Sequence, residues 1–171
     1  MMPSQALRDD RRWYTPADLP EELSAFDNPL RDTLEVGAPG KVGLLDLGVG
    51  RHAGITRVER QHQRAPLHVY RPIYLDDRRP DMAFLFVQHF GDGFVEGDRY
   101  RIDIDCGPGS ATHVTTEAAT NVFGARDNFA SQLLNLRVRG AVLEYLPDPW
   151  SRFAPHVSSS GRASQSIGER R

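Results

Sequence analysis

The sequence predicts an all-β chain: a stacked-sheet or β-sandwich-like domain, led by a flexible N-terminal arm and followed by a disordered C-terminal tail. Three observations carry that expectation. Apolar residues recur at every second position through the middle of the chain. Turns rich in Gly and Pro separate these runs, and no helical pattern of roughly 10–15 residues intervenes between them. The implied organisation is an arm over residues 1–40, a β-rich domain over 41–149 and a tail over 150–171.

In the first zone Pro3, Pro16, Pro20, Pro29 and Pro39 are spaced so that no long helix fits, although Asp18 to Phe26 suits a short one. This zone reads as a mobile arm or a surface-hugging lead-in. In the second zone Leu44 to Val49, Thr56 to Gln61, Leu67 to Tyr74 and Met82 to Gln88 read as strands. The run Ala83-Phe84-Leu85-Phe86-Val87 is apolar on both faces, as a central strand would be.

The alternation is clearest from Asp98 to Asp105, where Tyr100, Ile102 and Ile104 face one way and Arg99, Arg101, Asp103 and Asp105 the other. Cys106-Gly107-Pro108-Gly109 supplies a turn, with Ala111 to Thr116 expected as its hairpin partner. Gln132 to Arg139 alternates again, and Gly140-Ala141 turns the chain into Val142 to Leu146. Beyond Trp150 no apolar period survives, and Ser158-Ser159-Ser160-Gly161 has the composition of a disordered tail.

Composition narrows the function classes. The 171 residues carry 21 basic and 23 acidic side chains, a net charge of −2. That balance offers no broad positive field for nucleic acid or an anionic membrane. Lys41 is the only lysine, so nearly all positive charge sits on guanidinium groups suited to bidentate pairing. Cys106 is the only cysteine, which excludes an internal disulfide framework. No apolar run reaches the roughly 20 residues of a membrane span, and the N-terminal residues lack the apolar centre of a secretory signal. The expected compartment is the cytoplasm.

Candidate chemistry is sparse. Gly91 to Asp98 is glycine-rich, but no Lys-Ser/Thr follows and a strand, not a helix, comes next. It is either a solvated acidic turn or one that gathers Asp92, Glu96 and Asp98 as carboxylates for a divalent cation. The six histidines form no His-x-His or His-x-x-x-His pair, and His113 is the best placed of them. No Gly-x-Ser-x-Gly elbow is present, and Cys106 sits at a Gly-Pro turn with no His nearby in sequence. Glu144 lies on a strand whose two faces are both mostly apolar. Such a charge needs a partner, either Arg137 or Arg139 on a neighbouring strand or the polar lining of an internal passage.

Four segments, taken in order, resemble the UreD/UreH family of urease accessory proteins. Gly54-Ile55-Thr56 leads to Ala65-Pro66-Leu67-His68-Val69-Tyr70-Arg71-Pro72, and Gly91 to Asp98 is similar to the family's glycine-rich turn. Thr115-Thr116-Glu117-Ala118-Ala119-Thr120-Asn121-Val122-Phe123 and Ala141-Val142-Leu143-Glu144-Tyr145-Leu146-Pro147 complete the set. The resemblance implies a non-catalytic maturation factor. It would act with UreF and the GTPase UreG on apo-urease, promoting nickel insertion and carbamylation of the active-site lysine.

It also implies an internal polar passage, with Asp98 and Thr120 at motif positions near it and Glu144 at the acidic position of the last segment. No tightly bound cofactor is expected, only Ni²⁺ in transit. Asp92 and Glu96 depart from the glycines of many relatives and add negative charge at the turn. The match stops near Pro149, whereas family members continue with further strands and a partner-binding surface, so a shortened member with an uncovered sheet edge is expected. Two other readings stand beside this one. They are a generic β-sandwich binding module, and a small enzyme using carboxylates among Asp92, Glu96, Asp98 and Glu144.

Overall fold

The computed structural model describes Arg8, residues 10–24, Phe26 and residues 41–91, 93–125 and 127–152. Among these, a 3₁₀ turn (Arg11–Tyr14) and one helical turn, α1 (Glu21–Ser24), precede ten strands. The strands are β1 (Val42–His52), β2 (Ile55–Arg64), β3 (Leu67–Val69), β4 (Ala83–His89), β5 (Arg99–Cys106), β6 (Ala111–Thr116), β7 (Thr120–Val122), β8 (Ser131–Val138), β9 (Val142–Tyr145) and β10 (Trp150–Arg152). Two four-stranded sheets, ordered β2-β1-β5-β8 and β3-β4-β6-β9, stack face to face, and a two-stranded β7-β10 sheet forms a third side. The all-β, stacked-sheet expectation holds.

The pairing differs from the one the turns suggested. β5 and β6 lie in different sheets, as do β8 and β9, so neither Cys106–Gly109 nor Gly140 closes a hairpin. The reason is that β5 has no free edge: β1 takes one side and β8 the other, both in parallel. The chain therefore crosses from sheet to sheet, and β4–β6, β6–β9 and β7–β10 are also parallel. Ala83 faces Thr112, Ala111 faces Val142, Arg99 faces Ser131 and Thr120 faces Trp150, so the chain winds as a coil of about 30 residues per turn. A parallel bridge from Phe94 to Val122 extends the third side by one layer.

The N-terminal end of the coil is closed by antiparallel strands. Ala53 and Gly54, both at positive φ, make the tight turn that folds β2 back on β1. β2 then forms an edge carrying Arg57, Glu59, Gln61 and Gln63, polar enough to discourage further pairing.

Period two explains the core. Leu45, Leu47 and Val49 of β1 meet Ile102, Ile104 and Cys106 of β5, and opposite them lie Leu85, Val87 and Val114. Each large apolar side chain buried there contributes about 1.5–3 kcal/mol. Cys106 is thus an inward core residue at a strand end, where a small turn residue was expected.

The other face of β1 is covered too, by part of the lead-in. Tyr14 is fully buried against Val42 and Leu44, and its hydroxyl donates to the Arg8 carbonyl at 2.7 Å. Trp13 lies under the Arg101 guanidinium, 4.2 Å from its carbon. Arg8 reaches the buried Asp46 carboxylate at 3.3 Å, which Arg60 also contacts at 2.9 Å. The described lead-in residues hug the surface, the second of the two forms expected for that zone. The expected tail lies outside the described residues except for Trp150 to Arg152, which are strand. Those three residues pair in parallel with β7. Three residues are too few to show a period, so the sequence carried no signal for β10.

Candidate functional site

The inner faces of the coil do not meet completely. Between the sheets, toward the last turns of the coil, lies a cavity of about 520 Å³. Its wall includes His89 from β4, Phe94 from the glycine-rich turn, Glu117 and Thr120 around β7, Gln132 from β8 and Trp150 from β10. The wall mixes polar side chains with aromatic and aliphatic ones. The Gln88 amide donates to the Glu117 carboxylate across the rim.

Asp98 lies behind this wall. Its carboxylate is fully buried, and Oδ2 accepts from the Tyr100 hydroxyl at 2.6 Å and the Val95 N–H at 2.9 Å, with Lys41 Nζ at 3.4 Å. Oδ1 is buried without a hydrogen-bond partner. Loss of water pushes the Asp98 carboxyl above its ordinary value, a trend that Tyr100, Val95 and Lys41 oppose. The Tyr100 hydroxyl is raised by burial and by the adjacent carboxylate, so it remains a donor. His89, whose ring lies 5.1 Å from that of Tyr100, has both nitrogens shut off from solvent. Burial first and the Lys41 charge second hold it below its usual value, so it is neutral near pH 7.

The other expected residues go elsewhere. Glu96 does not join Asp98: its Oε1 accepts from the N–H groups of Asp127 at 2.6 Å and Asn128 at 2.8 Å. Arg99 fixes the same loop from within, through Asn128 Oδ1 at 2.8 Å and its stacking on Phe129 at 3.7 Å. Together they anchor the connection from β7 to β8. Glu144 projects from the outer face of β9, is half exposed and pairs with His113 Nδ1 at 2.8 Å. It is neither buried nor bonded to Arg137 or Arg139, because β9 pairs with β6 and not with β8, and it does not line the cavity. Thr120 does line the cavity. Asp92 lies outside the described residues.

Sequence reasoning missed His89 and Lys41. Asp98 shares the parity of Tyr100, Ile102 and Ile104, so its inward direction had a local signal. Lys41 comes beside it only through the parallel pairing of Val42 with Arg99. Among the described residues no three His, Cys, Asp or Glu side chains gather closely enough to hold a metal ion. No helix among them is long and apolar enough to cross a membrane.

Fold and site together define the chain as a parallel β-coil with a cavity of mixed lining between its sheets. Residues 41–155 match the family described as UreD urease accessory protein. The chain is 41% identical over 123 residues to urease accessory protein UreD 2 of Streptomyces griseus, covering 71% of this chain and 42% of that relative. It is 40% identical over 116 residues to urease accessory protein UreD 3 of Methylorubrum populi, covering 67% and 37%. With urease accessory protein UreD of Cenarchaeum symbiosum the identity is 36% over 116 residues, covering 67% and 41%. The chain belongs to the UreD family of urease accessory proteins. It spans less than half the length of these relatives.

Proposed function

We propose that this chain serves urease maturation as a non-catalytic scaffold that promotes nickel insertion into apo-urease, in a complex with UreF and UreG in the cytoplasm. The observation that supports this most directly is that the family match runs the length of the described coil, and that the segment resembling the family motif around Thr120 forms a wall of its cavity. Nickel would be cargo and not a resident cofactor. Thr120 would border its route and Asp98 would brace the wall behind it. The acidic turn of Asp92 and Glu96 would add negative potential at the surface, and the exposed Glu144–His113 pair would be a brief cation contact on the outer face.

The experiment is urease activation with purified apo-urease, UreF, UreG, GTP, bicarbonate and Ni²⁺, with and without this chain. A rise in urease activity on adding the chain is expected. Equal activity in both arms, with a full-length relative active in parallel, would refute the reading. Calorimetry of the chain with Ni²⁺ should give weak binding shared among carboxylates. A tight one-to-one site with spectroscopic histidine ligation would overturn the cargo assignment.

A further inference from the structure

The two large sheets treat their outer faces differently. Tyr14 and Trp13 cover part of the β2-β1-β5-β8 sheet, whereas on the β3-β4-β6-β9 sheet large apolar side chains stand in solvent. Period two turns Leu85 and Val87 of β4 into the core, so Phe84 and Phe86 point outward. Ile73 bridges Phe84, and Tyr70 and Phe90 both lie against the His68 ring. Ile73 is 44% exposed, Phe90 46% and Tyr70 56%. Leu146, just past β9, is 62% exposed. Aromatic and aliphatic side chains gathered on one side of a sheet, unlike apolar residues scattered singly, mark a contact surface.

The β6 and β9 side of the same face is acidic, and its acids lack the partner that acids elsewhere have. Asp46, Asp81, Asp103 and Asp105 each pair with an arginine. Among the described residues Glu144 pairs only with His113, and Glu117 bonds only the Gln88 amide. Arg79, near enough to feel the Glu144 charge, bonds Asp81 at 3.2 Å instead. We infer that this face docks an amphipathic helix of a partner protein, with apolar residues over β3 and β4 and arginines or lysines over Glu117 and Glu144. A helix is about 10 Å wide and neighbouring strands are about 4.8 Å apart, so one helix laid along the strands spans β4 and β6 and reaches both flanks. Charge complementarity selects this occupant. A second copy packed face to face would set these carboxylates against its own carboxylates or its apolar flank, leaving them buried and unanswered. The inference rests on the side chains of one sheet face, and not on the nickel role.

The test is fluorescence anisotropy of the full chain, in EDTA, with two labelled helical peptides. Both carry leucine at helical spacing along one stripe; one has arginine along the neighbouring stripe and the other glutamate. The arginine peptide should bind about tenfold or more tighter than the glutamate peptide, with affinity falling as salt rises. Tyr70→Ser should weaken that binding about tenfold and leave the salt slope unchanged. Glu117→Gln combined with Glu144→Gln should weaken it and flatten the slope. All the substituted side chains are at the surface, and circular dichroism should show the variants folded. Equal binding of the two peptides, or equal binding by wild type and both variants, would overturn the proposal. So would protection of Tyr70 and Phe90 from hydroxyl-radical labelling in the lone monomer, which would assign the face to the chain itself. Peptide-free dimers lost on Tyr70→Ser would assign it to a second copy and overturn the proposal equally.

Discussion

Burying a carboxylate costs several kcal/mol unless its charge is answered, and at Asp98 the answer comes from Lys41, Tyr100 and the Val95 N–H. Removing one member of such a set leaves the other buried and uncompensated. Asp98→Asn should therefore lower stability by about 3 kcal/mol in urea denaturation near pH 7. Asp98→Asn combined with Lys41→Met should recover at least half of the loss; a double variant as weak as the single one would refute the pairing. His89 gives the pH prediction. Its folded value lies below the ordinary 6.5, so the unfolded chain takes up the proton first. Stability from this residue is complete above that value and is lost as the pH falls from 6.5 through the folded value. Asp98 works in the opposite sense, since its raised value makes the folded state the better proton acceptor. The difference between wild type and His89→Gln isolates the histidine: the variant should show a flatter loss of stability from pH 7 to 5.5, and equal slopes would contradict the assignment. At this scale the inward direction of Asp98 was legible from parity alone. The surface position of Glu144 was not, because Val142 and Leu146 beside it are as apolar as Leu143 and Tyr145, and only pairing decides which set faces the core.

Strands long enough to repeat their period were legible, and their connections were not. Ala111–Thr116 occurs as expected, and Asp98–Asp105 and Gln132–Arg139 are each displaced by one residue. A Gly-Pro turn between two alternating runs has the same local chemistry whether the runs pair with each other or face each other across a core. What distinguishes the cases is non-local, namely that both edges of β5 are already occupied. The third side was illegible for a different reason, since β7 and β10 have three residues each and depend on contacts between layers. Gly93 is where that dependence is tightest. It sits at φ +130°, and a Cβ there would lie 2.3 Å from the Asn121 carbonyl oxygen, which accepts the Phe94 N–H at 2.8 Å. Gly93→Ala must strain the backbone and push the two layers apart, at a cost of about 2 kcal/mol. Thermal unfolding should show that loss, and Trp150 emission should shift as its contact with Phe94 loosens. An unchanged midpoint would mean that the layers are not in such close contact.

In a coil each turn is stabilised mainly by the turns above and below it, so stability across the molecule should follow the number of neighbours. β1 has β2 and β5 on its edges, the opposite sheet on its inner face and Tyr14 with Trp13 on its outer face. β5 and β4 are flanked on both sides, whereas β8, β9 and β10 each have one flanking strand among the described residues. Burial follows the same gradient, from the nine consecutive buried residues that open β1 to the exposed second half of β8. Opening free energies should therefore fall along the chain and not divide the molecule into a rigid and a loose half. Native-state hydrogen exchange of the isolated chain tests this directly. Amides of β1 and β5 should exchange only through global unfolding, and those of β6 at an intermediate rate. Amides of β8 to β10 should exchange through local opening that is insensitive to low denaturant. The ordering follows from parallel stacking alone and needs no assumption about nickel or partners. Exchange from β8 as slow as from β5 in the monomer would mean that the final layer has a cover, and the nearest-neighbour account of this fold would have to be abandoned.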